Sequence, residues 1–178
     1  IAYHTSWPGY DPMYNQNTAD PNARVTYYSI SGVPSVVMEG VKKGGPSIVT
    51  TTQISQYKAI PALCNISIQE SLSGNNITIT ATVIAITDLT SGNYKLHLTL
   101  IEQMVSYATA PGSNGEKNFP NVIRKLLPTN GTTLPALTMG QSFSTTQTYT
   151  IPSYIIASQL RTVAFVQENS SKVVLQTY

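Results

Sequence analysis

Apolar spacing along the chain changes near residue 62. From Cys64 onward apolar and polar residues alternate: Ile66 and Ile68 with Ser67 and Gln69, then Ile77, Ile79, Ala81 and Val83 with Thr78, Thr80 and Thr82. Period two puts one set on each face of a strand, so these stretches predict half-buried strands with hydroxyls outward. Ser73-Gly74-Asn75-Asn76 reads as the hairpin turn between them, and Ser91-Gly92-Asn93 as the next turn. Leu96, Leu98 and Leu100 alternate with Lys95, His97 and Thr99, which puts His97 on a solvated strand face. Further strands are expected at 143–151, 162–167 and 172–177. Several short strands separated by turns predict an antiparallel sandwich over 63–178. Residues 108–137 keep no period and read as irregular, with an exposed loop tip at 111–115.

Residues 1–62 have mixed character. Ile1-Ala2-Tyr3-His4-Thr5 reads as a strand. Two prolines and a glycine make Ser6-Trp7-Pro8-Gly9-Tyr10-Asp11-Pro12 a loop. Asp20-Pro21 signals a helix start, with Asp20 as cap, and the helix carries Tyr27 and Tyr28 towards Ile30. Ser35 to Met38 is a β-branched run opened by Pro34 and reads as a strand. Ile48, Thr51, Ile54 and Lys58 follow helical spacing, and Pro61 ends that helix. Both ends read as cut inside strands, which suggests a mature or trimmed fragment.

Composition narrows the chemistry. A 178-residue chain buries roughly two-thirds of its unfolded surface and needs no metal or disulfide to hold it. Only 10% of residues are charged, against about 25% in ordinary soluble domains. A formal net charge of +2 without basic clusters gives no nucleic-acid footprint. The single cysteine, Cys64, excludes an internal disulfide, a two-cysteine redox motif and a four-cysteine zinc site. Asn65, Asn76, Asn130 and Asn169 head glycosylation sequons, which matter only where the source glycosylates. No apolar run approaches the ~20 residues that span a bilayer.

The chemistry-bearing residues are few. Cys64, after apolar Pro61-Ala62-Leu63, reads as a small buried hydrophobe rather than a reactive thiol, since no basic neighbour is in view. His4 lacks a nucleophile in an elbow motif and reads as structural. Asp11, Asp20 and Glu39 are too scattered for a cation loop. Either Glu102 or Glu116 is placed to pair with Arg124 and pin the long loop, a contact worth about 0–1 kcal/mol if exposed. No catalytic residue, cofactor-binding set or metal set emerges. Trp7, Tyr10 and Tyr14 form the candidate interaction surface, because such rings bury large rigid area and keep a polar tip. The alternative is that these rings cover the core of the first part.

Two segments carry a resemblance. Ile1 to Thr5 with Asp11, followed by Tyr27-Tyr28-Ser29-Ile30-Ser31-Gly32-Val33-Pro34-Ser35-Val36-Val37-Met38-Glu39-Gly40, resembles the later half of a thioredoxin-like domain. In that fold a cis-proline precedes the third strand and faces a dithiol, and Pro34 matches it. Glu102, Tyr107, Pro111-Gly112-Ser113-Asn114-Gly115-Glu116 and Phe119-Pro120-Asn121-Val122-Ile123-Arg124-Lys125-Leu126-Leu127-Pro128 are similar to a motif of the twenty-eight-kilodalton outer membrane protein family of Bacteroidetes.

The resemblance implies an α+β chain. A thioredoxin-like remnant over 1–62, lacking the first strand and the Cys-x-x-Cys helix, would precede an immunoglobulin-like sandwich over 63–178. The missing strand would leave a gap between residues 1–5 and the strand after Pro34, filled by an upstream segment or by a second copy in a homodimer. It further implies a non-catalytic interaction module, extracellular or at the outer-membrane surface, with a protein or glycan partner. The rival readings are a thiol–disulfide oxidoreductase whose Cys-x-x-Cys lies upstream, with Pro34 presenting substrate, and a glycan-binding module using Trp7.

Overall fold

The computed structural model describes residues 1–90 and 92–178. It is mostly β, with antiparallel sheets and a few short helices. Element order is α1 (Pro12–Gln16), α2 (Ala19–Tyr28), β1 (Val36–Met38), β2 (Lys42–Gly44), α3 (Thr51–Lys58), β3 (Cys64–Ser73), β4 (Asn76–Ala85), β5 (Tyr94–Ser106), β6 (Asn118–Leu126), β7 (Thr132–Thr133), β8 (Ser142–Thr150), β9 (Leu160–Glu168) and β10 (Val174–Thr177). One sheet has the order β10-β9-β5-β6, with β7 also on β5. A second has the order β3-β4-β8, and β1 and β2 form a separate hairpin.

The two larger sheets share one apolar core. Ile77, Ile79, Ala81 and Val83 of β4 point inward, as their alternation predicts, and meet Leu96, Leu98 and Leu100 of β5 with Ala164 and Val166 of β9. Each fully buried aliphatic side chain contributes about 1.5–3 kcal/mol. The outward face of β4 is a ladder of hydroxyls: Thr78 bonds Thr148 at 3.2 Å, Thr80 bonds Thr146 at 2.9 Å and Thr82 bonds Ser144 at 2.7 Å. The β3–β4 hairpin closes with Ser73 opposite Asn76. The expected turn at Ser91-Gly92-Asn93 includes Ser91, which lies outside the described residues.

The larger sheet is covered on its other face as well. Helix α2 lies there, and its Arg24 and Tyr28 both hydrogen-bond Gln167 of β9. This overturns the solvated position expected for His97. The ring is 4% exposed and stacks on Phe165, with centroids 4.8 Å apart and planes 15° apart. Alternation reports two faces but not what covers each. Burial, with Arg24 and Lys95 nearby, pushes the His97 imidazole down to about 3. Gly131, at φ +70, passes against that ring; a Cβ there would stand 2.8 Å from His97 Cε1.

Other expectations need correction. Residues 108–137 are not irregular throughout, because they contain β6, a full partner of β5. Val122, Ile123 and Arg124 are all buried, so two-sided burial erases the period. The exposed tip at 111–115 stands largely as expected. Residues 1–5 do not form a regular strand; Ala2 alone makes an isolated parallel bridge, to Val122. Nor do they pair with residues 33–38, since β1 pairs with β2. Helix α3 is shorter than expected and buries no residue, so Ile54 stays exposed. Pro12, assigned to a loop, opens α1, capped by Asp11 accepting from Tyr14 N at 2.9 Å.

Asp20 is not a cap. It sits inside α2, wholly buried, and clasps the helix to β6 and the following loop. Its carboxylate accepts from Thr129 Oγ1 at 2.6 Å, Leu126 N at 3.0 Å and Asn17 Nδ2 at 2.9 Å, with Lys125 Nζ at 3.1 Å. Burial alone would raise its pKa. The bonds from Thr129, Leu126, Asn17 and Lys125 outweigh burial and hold it below the usual carboxylate range.

Candidate functional site

Ala2 tethers the N-terminal segment to the larger sheet. Its N–H donates to Asn121 O at 2.8 Å, and its carbonyl accepts from Ile123 N at 3.0 Å. The β1–β2 hairpin is held elsewhere: Glu39 O accepts from Val174 N at 3.1 Å, and Gly40, at φ +78, packs so closely on Lys172 that no side chain fits. Between residues 1–5 and β1 lies a cavity of about 860 Å³. That is the size of a ligand site, for which about 300–1,000 Å³ is usual. Its walls are mainly apolar, from Val25, Ile30, Val33, Val36 and Phe165, and Pro34 lies in them after a cis Val33–Pro34 bond.

Polar groups reach it at two places. At the rim, His4 Nδ1 and Asp11 Oδ2 are 2.8 Å apart, and His4 packs edge-on to Phe119. Asp11 is already used as the α1 cap, so the pair braces the loop, consistent with a structural histidine. At the base are Tyr3, Tyr28 and Arg24. Burial pushes the Tyr3 hydroxyl up to about 12, with Arg24 pulling the other way. The Arg24 guanidinium is 7% exposed and lies over the rings of Tyr27, Tyr28 and Phe165 at 4.8, 4.7 and 5.5 Å. It donates to Tyr28 Oη at 2.7 Å and Gln167 Oε1 at 3.2 Å.

The three aromatic residues of the expected interaction surface are not gathered. Trp7 lines the cavity mouth and is 42% exposed. Tyr10 stands on the loop at 77% exposure, outside the cavity lining. Tyr14 is half-buried and exchanges hydrogen bonds with the Asn22 side chain at 3.0 and 3.2 Å. Arg24 escaped the sequence reading. Its signal was the i, i+3, i+4 spacing of Arg24, Tyr27 and Tyr28, which places a cation and two rings on one helix face.

Cys64 is fully buried, and burial pushes its thiol up to about 11. Glu102 pairs with Arg124 as one of the two expected acids, but within a buried interface; Glu116 stays exposed beside Asn114. Among the described residues no group of three or more His, Cys, Asp or Glu could hold a metal ion.

These features define a two-sheet β protein with a small helical layer on its outer side and an apolar cavity with a buried cation at its base. The chain belongs to the Omp28 family of outer membrane proteins, whose model matches residues 21–178. That membership places it at the outer-membrane surface. The fold is shared with HBP35 of Porphyromonas gingivalis, with a TM-score of 0.77 at 13% identity over 94% of this chain. The chain spans 59% of the length of that protein. A domain of the outer membrane lipoprotein Omp28 from Porphyromonas gingivalis is 17% identical, covering 67% of this chain and 88% of that one, with a TM-score of 0.45. Comparison with curated proteins returns no match. No helix among the described residues is long and apolar enough to cross a membrane.

Proposed function

We propose that the chain is a non-catalytic interaction module at the outer-membrane surface, built from a partial thioredoxin-like unit over 1–62 and an immunoglobulin-like sandwich over 63–178. The observation that carries this reading is the cavity between residues 1–5 and β1, apolar-walled and opening beside Trp7. It lies where a thioredoxin-like sheet lacking one strand would have its gap. Cys64 supports a non-redox role for these residues, because a fully buried thiol held as high as about 11 supplies almost no thiolate. The rival oxidoreductase reading therefore rests on cysteines outside this chain.

The test uses peptide and glycan arrays, probed with wild type and Trp7→Ala. Binding lost in the variant supports the reading. Binding of neither variant to any probe, with dithiol-dependent disulfide reduction by a form of the protein that carries the Cys-x-x-Cys of the rival reading, would overturn it. The exposure of Trp7 and Tyr10 favours glycans as the second ligand class, since such rings stack on sugar faces.

A further inference from the structure

Four strands form the edges of the two larger sheets: β6 and β10 in one, β3 and β8 in the other. Edges invite a further strand, and most carry a guard against it. β6 holds Pro120 and a bulge, β10 is four residues long with a register shift, and β3 carries Glu70 opposite inward-facing Ile79. β8 has no such guard. Its nine residues include no charge and no proline, and it pairs with β4 without a break in register. Both chain ends are attached to the other sheet, Ala2 to β6 and Tyr178 to β9.

Parity fixes which backbone groups of β8 face outward from the sheet's edge. Gln141 O accepts from Ala85 N at 2.9 Å and Ile151 N donates to Asn75 O at 2.7 Å, so odd-numbered residues turn their groups to β4. Even-numbered Ser142, Ser144, Thr146, Thr148 and Thr150 turn theirs to the open side, because neighbours along a strand alternate.

The strand also reads nearly the same in both directions about Thr146. Ser144 mirrors Thr148, Phe143 mirrors Tyr149 and Thr145 mirrors Gln147. A two-fold axis at Thr146 would oppose even residues with even ones, the parity that closes hydrogen-bonded pairs. Phe143 would face Tyr149 of the second copy on the inner side. Hydroxyls would face hydroxyls on the outer side, carrying the β4–β8 ladder across the seam. With no formal charge on the strand, no like charges would be opposed. Exposed Met139 precedes β8, and exposed Tyr154 and Ile156 follow it, so this symmetry sets apolar side chains of both copies at each end of the seam.

We propose that two copies of this chain pair β8 to β8, antiparallel about a two-fold axis at Thr146, joining their three-stranded sheets into one. This surface is separate from the cavity and independent of what the cavity binds. A seam one strand long falls below the ~1,200 Å² at which stable interfaces begin, so the dimer should be weak, with a dissociation constant of about 1–100 μM.

The test is sedimentation velocity on the intact chain from about 1 to 500 μM, which brackets that range. Wild type should pass from monomer to dimer. Thr146→Pro removes an N–H from the open side and none from β4, so it should weaken association at least about a hundredfold with circular dichroism unchanged. Thr146→Lys and Thr146→Glu, at an exposed position, should each weaken it about fivefold by opposing like charges on the axis. An equimolar mixture of those two should recover dimer, since opposite charges then meet. Trp7→Ala should leave the dimer as it is.

A monomer at every concentration would overturn the proposal, as would a dimer that survives Thr146→Pro or is lost in Trp7→Ala. Loss in both charged variants without recovery in their mixture would overturn the two-fold register. If Thr146→Pro unfolds, the charged variants and their mixture still decide.

Discussion

Arg124 Nε donates to Glu102 Oε2 at 2.7 Å between neighbouring strands, and the two side chains are 3% and 2% exposed. The β5–β6 pairing skips Arg124, a bulge that re-aims its side chain. Glu102 also accepts from Ile156 N at 3.2 Å, and Arg124 donates to Gln16 of α1. The pair thus joins two strands, a helix and a loop. Removing one partner strands a buried charge. Arg124→Met alone should cost about 3–5 kcal/mol in urea unfolding, while Glu102→Leu with Arg124→Met should cost far less than the single changes summed.

His97 predicts an acid-sensitive step. The unfolded chain takes up its proton near 6.5, whereas the native ring resists until about 3. The unfolded state therefore binds more protons in that window, and stability falls as pH falls, by about 1.4 kcal/mol per unit. Urea midpoints measured between pH 7 and 4.5 should drop in wild type, and His97→Leu should flatten that drop.

Asp20 acts in a lower window. Its folded pKa lies below the ordinary 3.8, so its contribution is present above that pH and lost as pH falls through the folded value. Asp20→Asn should cost about 1–3 kcal/mol at neutral pH, because buried donors lose their acceptor. Its stability should then change less than wild type below pH ~4.

The helical layer and the cavity were less legible in sequence than the sheet facing solvent. β3 and β4 could be read residue by residue because one face meets core and the other water. β6 could not, and β5 only on its core side, since α1 and α2 cover the second face of that sheet, where polar residues such as Thr99 of β5 and Gln167 of β9 are buried. Of the candidate site, Trp7 and Pro34 were named and do line the cavity, but Arg24 was missed because a lone arginine in a short helix looks solvated. Asp20 was noticed for the wrong bond. Capping is local and visible in sequence, whereas its bond to Leu126 spans 106 residues.

Cys64 should resist modification. Native protein at pH 8 should react with an aromatic disulfide reagent only through unfolding, and urea should release one thiol per chain at once. Immediate reaction of the folded protein would place the thiol at the surface.

Gly131→Ala tests how tightly α2's layer is built. It combines a positive φ with a Cβ 2.8 Å from the His97 ring, so it should destabilise by more than about 1 kcal/mol and shift the His97 ring resonances.

The hydroxyl ladder of β4 and β8 has an electrostatic meaning of its own. Of the residues in β3, β4 and β8, Glu70 alone carries a formal charge. That broad face is nearly silent in the molecule's field. Beside a charged membrane, torque on the protein would come from the opposite side, where the remaining strand charges sit. The silent face would turn towards or away from the lipid according to what the charged side prefers, and added salt would blur that orientation without altering hydration of the ladder.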